Sequence, residues 1–174
     1  MKKPEMILFD YGQTLIDEER FDGVRGTAQV MQYAVKNRHG LTPEQVQEQA
    51  EAINRELGRF NPAGRHLITA EVHNHPFNAY LYESLGIGLS LSCEQAEEIF
   101  WNAAAPGKPT EGIEAFLEFL EGEGIRTGVI SNISFSGKAL RRRIDRMLPS
   151  HRFEFILASS EYVFRKPNPR IFNL

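Results

Sequence analysis

One cysteine, Cys93, is all that the 174 residues contain, so no intramolecular disulfide can form and the composition suits a reducing cytosol. No run approaches the roughly 20 apolar residues that a bilayer-spanning helix requires. The opening residues, MKKPEMILFD, turn acidic at Asp10 before a signal-peptide core could develop. Nor is there an excess of positive charge: 20 Lys and Arg stand against 23 Asp and Glu, for a net charge of −3. That balance offers no cationic face to a nucleic-acid backbone. Internal repeats and low-complexity tracts are missing too. What is present, 41% hydrophobic and 25% charged residues, is the mixture of a globular chain able to bury a core. A soluble cytoplasmic protein, bound to neither membrane nor nucleic acid, is the expectation.

Met6-Ile7-Leu8-Phe9 is a short apolar run stopped by Asp10 and Gly12, the pattern of a strand buried on both faces of a parallel sheet. Residues 125–130 and 153–158 repeat it. Residues 113–120, closed by Gly122 and Gly124, predict a helix before the second strand. Residues 138–147, with Leu140, Ile144 and Met147 on one face, predict a basic amphipathic helix after it. The alternation is that of a Rossmann-like, doubly wound α/β fold with a parallel sheet. From 17 to 106 the periodicity is helical and no convincing strand interrupts it, with helices expected at 20–38, 42–57, 66–85 and 92–104. Thr42-Pro43-Glu44-Gln45 and Ser92-Cys93-Glu94-Gln95 are good helix starts. So long a stretch is not a loop. It predicts an inserted all-helical lobe, residues 17–106, on a core made of residues 1–16 and 107–174. A lobe inserted there lies beside the carboxyl ends of the strands, where open α/β sheets bind ligands.

Three strand ends carry the chemistry. Asp10 and Gly12 follow the first strand, with Thr14 two residues on; Ser131 and Asn132 end the second; Lys166 follows the third. Ser134 and Ser136 are candidates to cap the next helix. One carboxylate, hydroxyl donors and one lysine on a common rim suit covalent catalysis by aspartate on a phosphorylated or halogenated carbon compound. The lysine would offset the charge of the carboxylate and the incoming anion. Elsewhere plainer readings prevail. His73 and His75 are two apart, share no helix face and lack an acid or thiol ligand nearby. Arg59, Arg65 and His66 flank a loop at 61–64 and suit a solvated surface as well as an anion. Arg141-Arg142-Arg143 reads as a solvated helix face. Phe77, Tyr80, Tyr82 and Trp101 read as core of the helical lobe, Cys93 as structural, and Gly12 as a turn residue whose backbone can need a positive φ.

At these residues the sequence resembles the haloacid dehalogenase-like hydrolase superfamily. Residues 7–15, ILFDYGQTL, look like its motif I; Val129-Ile130-Ser131-Asn132 like motif II; and 165–172, RKPNPRIF, like motif III. They stand in order around a helical insert that resembles the family's C1-type cap. The resemblance implies that Asp10 is the nucleophile and forms an aspartyl-phosphate. It implies Mg²⁺ held by the Asp10 carboxylate and the Gly12 backbone carbonyl. Thr14, Ser131, Asn132 and Lys166 become the phosphate-binding set, with Ser131 and Lys166 also catalytic and Asn132 supporting the loop. The implied substrate is a small phosphorylated metabolite; the expected assembly, read without the resemblance, is a monomer or homodimer.

Two departures from the family pattern matter. The position two after the nucleophile, where most of the family's phosphatases carry an acid/base aspartate, is Gly12 here; Asp17 is the candidate substitute. An acidic motif IV should follow Lys166 by roughly two dozen residues, whereas the sequence ends at Leu174. The expectation is therefore a truncated form of a longer protein, lacking part of the metal site. The alternatives are 2-haloacid dehalogenase chemistry, in which aspartate attacks carbon without a metal, and a non-catalytic phosphometabolite-binding protein.

Overall fold

The computed structural model describes residues 3–59 and 70–174. The loop expected at 61–64, Arg65, and the helix start expected at His66 lie outside them. Among the described residues no helix is long and apolar enough to cross a membrane.

A three-stranded parallel sheet runs in the order β1 (Met6–Phe9), β6 (Arg126–Ser131), β7 (Ile156–Ala158). β6 is the central strand, and Thr127 to Ser131 are all buried. β1 has β6 as its one neighbour among the described residues, and it is not buried on both faces as expected: Leu8 is 45% exposed while Phe9 is buried. The third strand is shorter than the apolar run predicts. Its first residues still join the sheet through Glu154 N to Thr127 O at 2.9 Å and Val129 N to Phe155 O at 3.0 Å. Helices α5 (Ile113–Gly122) and α6 (Gly137–Met147) complete the alternation. Ser136 caps α6 by accepting from Ala139 N at 3.1 Å; Ser134 does not, and its carbonyl instead accepts from Asn74 N at 2.8 Å.

Leaving β1, the chain turns tightly and forms β2 (Ile16–Glu18), antiparallel to β5 (Gly107–Pro109), with Glu18 opposite Gly107. Exit and return are thus zipped together, and Asp22 N to Ala104 O at 2.8 Å extends the link. Between them lie α1 (Gly23–Met31), α2 (Pro43–Glu56), α3 (Asn74–Ser84) and α4 (Cys93–Ala104). Thr42 and Ser92 each make the reciprocal cap with Gln45 and Gln95 that their sequences predict. The segment is not all-helical, however. The first helix stops at Met31, and β3 (Ala34–Asn37) pairs antiparallel with β4 (Ile87–Leu89). Each strand is so short that a period of two has no room to register, and the pairing joins residues far apart in sequence.

Two apolar clusters result among the described residues. Val30, Val46, Ala50, Leu81, Tyr82, Ile87 and Ala96 unite the helices. The other gathers Phe9, Leu15, Val129, Leu140, Ile144 and Ile156 around the sheet. Trp101 belongs to this second cluster and stacks on Phe135 at 4.2 Å, so it ties α4 to the sheet side rather than filling the helical core. Tyr80 is 62% exposed and fills neither.

Candidate functional site

Asp10, Ser131 and the residues after β7 meet at the carboxyl end of the parallel sheet, because parallel strands place all their C-termini on one rim. Lys166 Nζ lies 3.1 Å from Asp10 Oδ1 and donates to the Ile130 carbonyl at 2.6 Å. The Asn132 amide fixes that lysine's backbone from both sides: Oδ1 accepts from Lys166 N at 2.7 Å and Nδ2 donates to Lys166 O at 2.9 Å. Ser131 is the buried last residue of β6. Asp10 Oδ1 also accepts from Tyr11 N at 2.8 Å. Its Oδ2 has no hydrogen-bond partner among the described residues, so one carboxylate oxygen is oriented and the other is open. Thr14 is not drawn into this group; it is exposed on the turn, without a hydrogen bond to Asp10 or Lys166.

That turn is built from Leu15 N and Ile16 N, which both donate to Tyr11 O, and from Gln13 N, which donates to Ile16 O. The left-handed residue is Gln13, at φ 56°, and not Gly12, whose backbone suits any residue. Glycine at 12 is therefore not a backbone necessity. Its consequence is space: a Cβ there would meet one neighbour within contact distance, Glu18 Oε2 at 3.6 Å. Ile16 and Glu18 share the inner face of β2, while Asp17, the expected substitute acid, faces solvent. The sequence reading passed over Glu18. Its signal is the strand parity set by the buried Ile16, hidden because the helical stretch of the sequence begins at residue 17.

Glu18 is gripped by one oxygen. Oε1 accepts from Tyr11 OH at 3.0 Å, Trp101 Nε1 at 3.0 Å and Arg143 Nη2 at 3.3 Å, and Oε2 has no partner among the described residues. Arg143 is 3% exposed, which corrects the solvated reading of the arginine run. It lies one turn from Leu140, on the buried side of α6, and donates to Tyr11 OH at 2.6 Å, to Asn102 Oδ1 at 2.8 Å and to Ala105 O. Arg142, by contrast, is half-exposed and pairs with Glu98 at 3.6 Å.

Burial first, and then the Glu18 charge, push the Tyr11 phenol well above its ordinary range, so it keeps its proton. Burial likewise pushes Tyr82 from 10.0 up to about 12. Between about pH 10 and 12 the unfolded chain has released these protons and the folded chain has not. Stability therefore falls as pH rises through that window, by at most about 1.4 kcal/mol per pH unit for each group. Denaturant midpoints measured across it are expected to decline, and to decline less steeply in Tyr82→Phe; an unchanged slope in that variant would count against the burial.

A second buried carboxylate, Glu71, was also unforeseen. It accepts from Ser159 Oγ at 2.9 Å and Arg165 Nη1 at 2.6 Å, with Arg59 at 3.7 Å, and so anchors the segment before Lys166. His75 Nε2 lies 2.9 Å from the buried Glu97, and His73 Nδ1 accepts from His75 N as a helix cap. A cleft of about 1010 Å³ between α1, α2, α3 and the residues after β6 is lined by Arg20, Asn54, Arg59, Asn74 and Ser134; Asp10 and Lys166 do not line it.

Among the described residues no group of three or more His, Cys, Asp or Glu side chains is placed to hold a metal. The Asp10 carboxylate is nonetheless a hard oxygen donor, as is the Gly12 carbonyl, which the turn's own bonds leave unused. Mg²⁺ commonly takes one or two carboxylates, substrate oxygens and water, so this donor set fits a largely hydrated ion.

The family model of the haloacid dehalogenase-like hydrolases matches residues 4–174. No curated protein sequence matches. Among solved structures, one from Lactobacillus delbrueckii subsp. bulgaricus ATCC BAA-365, provisionally described as a phosphoglycolate phosphatase, is 19% identical with a TM-score of 0.47. The alignment covers 99% of this chain and 72% of that one. Similarity of that degree says nothing of what this chain acts on.

Proposed function

The chain belongs to the haloacid dehalogenase-like hydrolases, and from that premise we propose that it is a Mg²⁺-dependent phosphatase of a small phosphorylated metabolite. The observation that carries this reading is the Asp10–Lys166 pair, with Asn132 bracing the lysine and Asp10 Oδ2 left open. Asp10 Oδ2 attacks phosphorus and forms the aspartyl-phosphate. The Lys166 ammonium and the Ser131 hydroxyl hold the phosphoryl oxygens, and Asn132 keeps the lysine's backbone in register with β6. Thr14, at the exposed turn, is the weakest member of that set. A magnesium ion held by Asp10 and the Gly12 carbonyl would neutralise phosphoryl charge. Residues 17–106 act as a cap that excludes water and selects the substrate. The open carboxylate oxygen beside a lysine equally permits attack on carbon, so one comparison separates the two chemistries. Phosphate release from a panel of small phosphoesters is expected in Mg²⁺ and lost in EDTA. Halide release from 2-haloacids that survives EDTA, without phosphate release, would overturn the proposal.

A further inference from the structure

Hydrolysis through Asp10 needs a proton for the departing oxygen and then a base for the attacking water. No side chain at position 12 can supply either. On the phosphatase reading above, we propose that Glu18 is the catalytic acid and base. Its Oε2 lies 3.6 Å from the place a Cβ would take at Gly12, two residues from the nucleophile, and has no partner among the described residues. Its Oε1 is held by Tyr11, Trp101 and Arg143. One oxygen is thus fixed and the other free, an arrangement that orients a carboxyl group for proton transfer.

The nearby alternatives are committed elsewhere. Asp17 faces solvent, Glu71 is occupied by Ser159 and Arg165, and the Tyr11 phenol already donates to Glu18. The missing side chain at position 12 is therefore what gives Glu18 access to the site. A carboxylate arriving from the next strand takes the place of one carried on the turn.

The step balances. Asp10 Oδ2 bonds to phosphorus as the bond from phosphorus to the leaving oxygen breaks, and that oxygen takes the proton of the Glu18 carboxyl. A water oxygen then bonds to phosphorus as the bond to Oδ2 breaks. Glu18 Oε2 accepts the water's proton, and Asp10 is restored as a carboxylate.

p-Nitrophenyl phosphate separates the two halves, because its leaving group departs without a proton. In Glu18→Gln, which keeps an oxygen for Tyr11, Trp101 and Arg143, the initial burst of p-nitrophenol is expected to persist. Steady turnover should fall by about 10²–10⁴-fold, and the protein should gain the mass of one phosphoryl group. Gly12→Asp in the Glu18→Gln background is expected to restore turnover in part. Position 12 accepts a side chain without backbone strain. Turnover at the wild-type rate in Glu18→Gln would overturn this assignment alone. So would loss of burst and turnover together without rescue, which would make Glu18 a structural residue. A wild type that neither releases phosphate nor becomes phosphorylated would overturn the phosphatase reading and this assignment with it.

Discussion

Asp10→Asn is expected to lower phosphate release by at least a thousandfold while leaving the fold intact, on the scale at which removing a single nucleophile acts. The amide keeps an oxygen for Tyr11 N, which donates at 2.8 Å, and Lys166 keeps its 2.6 Å bond to Ile130 O. On the proposed reading what disappears is the nucleophile, since an amide oxygen is a poor one and forms no stable acyl phosphate. Stability should change by less than about 1 kcal/mol, because the lost ion pair is open to solvent on the aspartate side, where such pairs contribute little. Inorganic phosphate should bind the variant at least as tightly, since the carboxylate that repels it is gone and the lysine remains. Asp10→Glu should fail almost as completely, the extra methylene moving the attacking oxygen out of line. Equal rates in wild type and Asp10→Asn would remove Asp10 as nucleophile. A variant that lost its fold would show that the residue serves the turn instead, and circular dichroism with thermal melting separates the two.

The strand-end residues of this site were legible because each follows an apolar run that declares a strand, and parallel strands bring their ends together without further information. Asp10, Ser131, Asn132 and Lys166 stand at one rim for that reason. Glu18 was not legible, because its position depends on β2 pairing with β5, whose sequence lies beyond the helices. Strands of three or four residues leave little periodicity to read, and β3 and β4 escape the sequence pattern for the same cause. Gly12 shows the converse error: glycine suggested a left-handed turn, and the turn takes its positive φ at Gln13 instead. Arg143 failed differently. Its spacing from Leu140 already placed it near the apolar face of α6, but burial of an arginine depends on partners, and Glu18, Tyr11 and Asn102 lie far away in sequence. Periodicity shows which face is covered and is silent on the charge waiting there.

Those partners make Arg143→Met the substitution with the largest expected cost in stability, about 3–5 kcal/mol, the range found when one member of a buried ion pair is removed. The guanidinium donates to Tyr11, Asn102, Ala105 and Glu18 and lies 4.7 Å over the Trp101 ring. Methionine fills much of the volume and stacks on the indole but donates nothing. Glu18 is then left half-buried and short of its cation, and the Ala105 carbonyl loses a donor at the end of α4. For a chain of this size the loss corresponds to a melting temperature lower by roughly 6–20 °C. Arg142→Ala, one residue away, removes only half-exposed pairs with Glu94 and Glu98 and should cost less than about 1 kcal/mol. The double variant Glu18→Gln/Arg143→Met should lose less than the sum of the two single losses, because the uncompensated carboxylate that makes the arginine change severe is no longer charged. Denaturant melts of the wild type and the four variants, Glu18→Gln among them, decide the matter: an Arg143→Met loss as small as that of Arg142→Ala, or strict additivity in the double variant, would mean that this network does not hold the turn beside Asp10 in place.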